Sequence, residues 1–148
     1  MNLLADTCFW ISLCDSSELD SVEAKAIMEK ILDSGNHKIM VPHPVLYETL
    51  CSKMVKKPTH VTLLTKYFNQ VEKVSDEAYI DEAFRLVEQQ AAMQKGTASM
   101  VDILIMLVAD DPKNNVKGII TRNGRDFASF CRDKQLAMID TQDSLSAI

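Results

Sequence analysis

The sequence predicts an α/β domain: a mostly parallel sheet of about five strands covered by helices on both faces. Three observations carry that prediction. Short apolar stretches of strand character alternate with longer stretches of helical periodicity, and strands separated by helices pair in parallel. No Ser/Gly-rich linker, repeat or charge block divides the chain, so residues 1–148 read as a single domain. Hydrophobic residues make up 47% of the chain and charged residues 25%, a balance that supports one buried core.

The elements follow in order. Residues 2–5 form a first strand, and Phe9, Trp10 and Ile11 after it are expected to pack in the core. Residues 21–32 place Val22, Ala26, Ile27 and Ile31 on one helical face, with Gly35 as the C-cap. Residues 38–41 form a second strand, and residues 44–55 a helix that opens on proline, where a first turn tolerates it. Tyr67 and Phe68 are core candidates, and residues 70–74 give a weaker strand signal. Residues 77–94 repeat Ile80, Ala83, Phe84, Val87 and Ala91 at helical spacing. Residues 98–109 are apolar nearly all round, the mark of a buried helix, and the polar residues 110–117 read as a solvated turn. Residues 117–121 form a strong strand, a long helix follows near Asp126, and residues 137–139 form a short last strand.

Charge and composition exclude several functions. A net charge of −5 argues against a broad basic surface for nucleic acid, although an enzyme can approach nucleic acid through a bound cation. The four cysteines include no CxxC pair and the three histidines are scattered, so neither a zinc cage nor a disulfide framework is expected. Reduced, mostly buried thiols are expected instead, with Cys14 the more exposed. No apolar run approaches the roughly 20 residues that span a bilayer. The first residues meet an acid at Asp6 with no basic stretch before it, unlike a secretory signal, so a cytoplasmic, membrane-free protein is expected.

In open α/β sheets the working crevice lies at the carboxyl ends of the strands. Four acids fall there: Asp6 after the first strand, Glu48 in the helix after the second, Asp102 near the start of the apolar helix, and Asp126 just past the 117–121 strand. Each has a purely structural reading. Asp6 serves as an N-cap, Glu48 favours a helix dipole, Ser99 and Asp102 form a capping box, and Asp126 caps the last long helix. Asp102 is the hardest to explain that way, because an unpaired carboxylate on so apolar a helix is costly. Together, several converging carboxylates repel one another unless a cation or a proton intervenes. Oxygen ligands with no Cys or His close by suit Mg²⁺ or Mn²⁺ rather than Zn²⁺. Such a cluster hydrolyses phosphodiesters by orienting a water and lowering its pKa.

Four segments, LLADTCFWI, VPHPVLYETL, SMVDILIMLVA and IITRNGRDFASF, resemble in order the four signature regions of PIN domains, and most closely those of VapC-like toxins. The resemblance spans roughly residues 3–139. It implies a PIN-like three-layer sandwich and an Mg²⁺- or Mn²⁺-dependent endoribonuclease of a toxin–antitoxin pair. It also implies an RNA substrate, a cognate antitoxin partner and a homodimer. The implied metal-binding and catalytic acids are Asp6, Glu48, Asp102 and Asp126, supported by Thr7, Ser99, Thr121 and Asn123. Asn123 stands where some members carry Asp, and Lys53, Lys56 and Lys57 form a small basic cluster after Glu48.

A phosphoacceptor regulator or an Asp-x-Asp phosphatase would need a second acid just after the first strand, where Thr7 and Cys8 stand. The remaining alternative is a catalytically silent PIN scaffold that binds protein or RNA.

Overall fold

Apolar runs too short for helices lie side by side in the computed structural model, which describes residues 1–94 and 98–142. β1 (Asn2–Ala5), β2 (Lys38–Pro42), β3 (Glu72–Val74), β4 (Val116–Thr121) and β5 (Ala137–Asp140) form one sheet in the order β3-β2-β1-β4-β5. Every pairing is parallel. The central strand β1 is buried over Leu3, Leu4 and Ala5, as a strand covered on both faces must be. Strand order reverses around β1 and β4, which places the topological switch point where Asp6 and Thr121 emerge.

Among the described residues seven helices cover the sheet: α1 (Thr7–Cys14), α2 (Ser21–Ser34), α3 (His43–Leu50), α4 (Pro58–Phe68), α5 (Ile80–Ala92), α6 (Met100–Asp110) and α7 (Gly124–Lys134). α1 packs against α2, α3 and α4, while α6 packs against α5 and α7, giving a helical layer on each side of the sheet. The core centres on α1, where Trp10 meets both Phe9 and Phe68 edge-on, with ring centroids 5.5 and 4.9 Å apart. No helix among the described residues is long and apolar enough to cross a membrane.

Several sequence expectations need correction. The helix expected over 44–55 stops at Leu50, and Lys53–Lys56 forms a separate 3₁₀ turn whose first amide bond is capped by Ser52. α4 was not expected; Pro58 at its first turn and Val61, Leu64 and Phe68 at helical spacing are its signals. The apolar stripe of α5 is only partly covered: Ala83 and Val87 pack against Ile103 and Leu104 of α6, while Ile80 and Phe84 are exposed. Cys14 is buried under α2, and Cys51 is the exposed thiol. Burial pushes the Cys14 thiol up to about 12. Residues 110–117 are pinned rather than merely solvated. The Tyr79 hydroxyl donates to Asp111, and the Asn114 amide donates to Tyr79 and to the Val108 carbonyl.

Candidate functional site

The backbone around β1 explains why an acid sits at the switch point. The Asp6 N–H donates to the Ile120 carbonyl at 2.9 Å, extending the β1–β4 ladder by one bond. The chain then turns into α1 with Asp6 as N-cap in extended conformation, its Oδ1 accepting from the Thr7 N–H at 2.6 Å. The capping role read from the sequence is therefore real, but it occupies only one oxygen. Asp6 Oδ2 accepts from the Thr121 hydroxyl at 2.9 Å and from the Cys8 thiol at 2.9 Å. Thr121 in turn accepts from the Asn123 N–H at 2.9 Å, so β4 and the start of α7 are tied to the same carboxylate.

Glu48 arrives from α3, which packs on α1, and accepts a hydrogen bond from the Thr7 hydroxyl. Asp102 arrives from the first turn of α6. A complete capping box holds it, with the Ser99 N–H and hydroxyl donating to Oδ2 at 3.1 and 2.7 Å and the Asp102 N–H donating back at 3.1 Å. Both bonds from Ser99 fall on the same Asp102 oxygen, Oδ2.

Asp6, Glu48 and Asp102 line one open cleft of about 490 Å³, together with Thr7, Cys8, Ile11, Cys51, Ser52, Ser99 and Asn123. Three of the four sequence-selected acids and three of the four supporting residues therefore share a wall. Thr121 is fully buried behind Asp6. Asp126 stands exposed in the first turn of α7 and is not among the lining residues. It does not cap α7; the Asp140 carboxylate does, accepting from the Gly124 N–H at 3.1 Å.

Electrostatics single out Asp6. Burial pushes its carboxyl above the usual carboxylate range, opposed by hydrogen bonds from Cys8, Thr121 and the Thr7 N–H, while the nearby charge of Asp102 pushes it further up. A divalent cation would relieve both the desolvation and the repulsion, and the carboxylate and amide oxygens of Asp6, Glu48, Asp102 and Asn123 suit a hard ion. Among the described residues, no three such side chains yet close around a common point.

Cys8 was missed as a neighbour of the acids, contrary to the expectation that no sulfur lies close by. Its thiol donates to Asp6 and accepts from the Arg122 N–H at 3.1 Å. Burial, and then the charge of Asp6, push it up to about 12, so it stays a neutral donor. Its position two residues after Asp6, on the first turn of α1, was the available signal. A second missed feature is the buried Asp20, which accepts from Ser12 at 2.7 Å and from Thr141, with Arg122 at 3.5 Å. It ties α1, the β4–α7 turn and the residue after β5 to one carboxylate.

No protein-family model and no curated protein matches the chain. Solved structures do. The Mycobacterium tuberculosis toxin VapC20, described as sarcin–ricin loop cleaving, matches with a TM-score of 0.61 at 19% identity, over 86% of this chain and 94% of its own. VapBC2 from Rickettsia felis, bound to a DNA fragment from its promoter, matches with a TM-score of 0.63 at 18% identity, over 95% and 98%. At that identity the likeness is one of fold, and the chain has the PIN-like architecture of these VapC-type structures.

Proposed function

We propose that the protein is a metal-dependent endoribonuclease, the toxin of a toxin–antitoxin pair, with its reaction centre in the cleft of Asp6, Glu48 and Asp102. The observation that carries this reading is the convergence of three acids, distant in sequence, on one cleft at the switch point, where burial and the nearby Asp102 push the Asp6 carboxyl up, a penalty that a cation would offset. Caps alone do not require that convergence, because Asp6 and Asp102 would each cap their helices as well if they faced apart.

In this reading Asp6, Glu48 and Asp102 hold Mg²⁺ or Mn²⁺, which supplies Lewis acidity toward water and phosphate when bound. Asn123 adds a neutral oxygen from the α7 side, and Asp126 adds charge to that rim. Thr121, Cys8 and the Thr7 N–H fix the Asp6 carboxylate in one orientation, and the Thr7 hydroxyl does the same for Glu48. Ser99 holds one oxygen of Asp102 and so presents the other. Hydrolysis leaves 5′-phosphate and 3′-hydroxyl ends. No serine or cysteine nucleophile takes part; Cys8 is protonated and occupied. A cognate antitoxin and a second copy of the chain are the proposed protein partners, on the strength of the VapC-type fold.

The test is cleavage of total cellular RNA by wild-type protein with Mg²⁺ or Mn²⁺, beside Asp102→Asn and an EDTA control. Discrete fragments with 5′-phosphate ends that vanish in both controls are expected. Fragments that persist in Asp102→Asn would reject the role given to Asp102, and no fragments with wild type would reject the reading in favour of a silent scaffold.

A further inference from the structure

We propose that the RNA strand crosses the carboxyl edge of the sheet from Lys53 and Lys56 to Arg125, these cations holding the phosphates on either side of the one that is cut. This rests on the ribonuclease reading of the cleft.

A phosphate chain approaching a protein of net charge −5, and a cleft of three carboxylates, meets repulsion that local cations must offset. Many cations elsewhere are already committed. Arg85 pairs with Glu82, Lys113 with Asp111, Arg132 with Asp133 and Lys134 with Asp110. Arg122, beside the site, is engaged by Glu18 and Asp20. Lys53, Lys56 and Arg125 are exposed and form no ion pair among the described residues.

Their placement defines a path. Cys51 and Ser52 wall the cleft on the α3 side, and Lys53 follows them directly. Buried Met54 pins the 3₁₀ turn inward, and residues three apart in such a turn eclipse one another, so Lys53 and Lys56 share one outward edge. Asn123 walls the cleft on the α7 side, and Arg125 is two residues on. Asp126, next to it, projects about 100° away around the helix. Because α3 follows β2, Asp6 follows β1 and α7 follows β4, and these strands are neighbours in that order, the line from Lys53 to Arg125 passes over Asp6. Lys57 lies off it, close to Asp15 at the far end of α1. The cleft lining includes no aromatic side chain on which a base could stack, so this path reads backbone rather than sequence.

The experiment measures binding of a fluorescein-labelled 12-nucleotide single-stranded RNA of mixed sequence by anisotropy, across a salt series. The protein is the full chain carrying Asp102→Asn, with Mg²⁺ present. Lys53→Gln, Lys56→Gln and Arg125→Gln are compared with Lys117→Gln, on the opposite edge of the sheet. Each phosphate contact contributes about 0.7 to the slope of log K against log salt for a single strand, hence about fivefold in affinity at 0.1 M salt. Losses of that size from both rims, with Lys117→Gln unchanged, support the path. An unchanged slope overturns it even if wild type cleaves RNA, in which case the nuclease reading stands alone. A loss from one rim only overturns the crossing direction. Binding of poly-glutamate in place of RNA, lost in the same variants, overturns the choice of partner. Retained RNA binding without any cleavage by wild type rejects the nuclease reading while leaving the path intact.

Discussion

Replacing Asp6 separates a cap from a ligand, because asparagine keeps the cap and alanine does not. In Asp6→Ala the Thr7 N–H loses its acceptor, a change that costs about 0.5–2 kcal/mol at an N-cap. The fully buried Thr121 hydroxyl loses its acceptor as well, at about 1–3 kcal/mol for an unmet buried donor. A total of about 1.5–5 kcal/mol is expected. In Asp6→Asn the amide oxygen still caps α1, and the amide group meets the Thr121 hydroxyl and Cys8 sulfur, both able to accept. What disappears is a carboxyl whose charged form burial and Asp102 disfavour. The Asp6 carboxyl titrates above its ordinary 3.8 in the fold, so its charged form costs stability above that pH and costs nothing once pH falls below it. Asp6→Asn is therefore expected to unfold within about 1 kcal/mol of wild type, or to be more stable, at pH 7.5 in EDTA, because the lost strength of charged hydrogen bonds is of similar size. Urea titration followed by the fluorescence of Trp10, the single and fully buried tryptophan, measures both variants. Adding Mg²⁺ at ten times its Kd should then stabilise wild type by about 1.4 kcal/mol and Asp6→Asn by nothing. If asparagine proves as damaging as alanine, the charge itself is structural and the reasoning fails.

Two further outcomes follow from the same geometry. Asp20 is depressed below 3.8: burial pushes it up, but hydrogen bonds from Thr141 and Ser12 and the charge of Arg122 outweigh that. Its contribution is therefore present above 3.8 and lost as pH falls through the lower folded value, and Asp20→Asn should cost about 1.5–3 kcal/mol at pH 7, with the gap to wild type closing in acid, as urea titrations at several pH values would read. At Gly118 an added Cβ would lie 2.9 Å from the Ala137 carbonyl and 3.0 Å from the Leu3 side chain, so Gly118→Ala should destabilise by about 1–3 kcal/mol through forced separation of β4 and β5, read by thermal melting.

What the sequence disclosed, and what it withheld, follows from range. Strand ends are marked locally, by an apolar run stopping at a polar residue, so Asp6, Thr121 and the acid-bearing turns could be placed from the chain alone. Helix existence was legible where an apolar face was bounded by clear caps, as in α2 and α6. The periodicity of α5 was also legible, but a period does not say which face is covered, and Phe84 is exposed. α4 was lost because the break after Leu50 was not recognised, although Pro58 marked a new start. The Asp20 cluster joins Ser12, Arg122 and Thr141, the last of them 121 positions from Asp20, and no local pattern announces such a bond. Whether Asp102, which forms a capping box and also lines the cleft, serves more than the cap could be posed from Ser99-x-x-Asp102 but not decided.

The most direct measurement is an Mn²⁺ titration followed by electron paramagnetic resonance, comparing wild type with Asp6→Asn, Glu48→Gln and Asp102→Asn. If the three acids serve a cation, free Mn²⁺ signal is depleted by wild type and much less by each variant, while all four proteins remain folded by Trp10 fluorescence. Equal depletion by wild type and variants, or none by any of them, would mean that these carboxylates only cap helices.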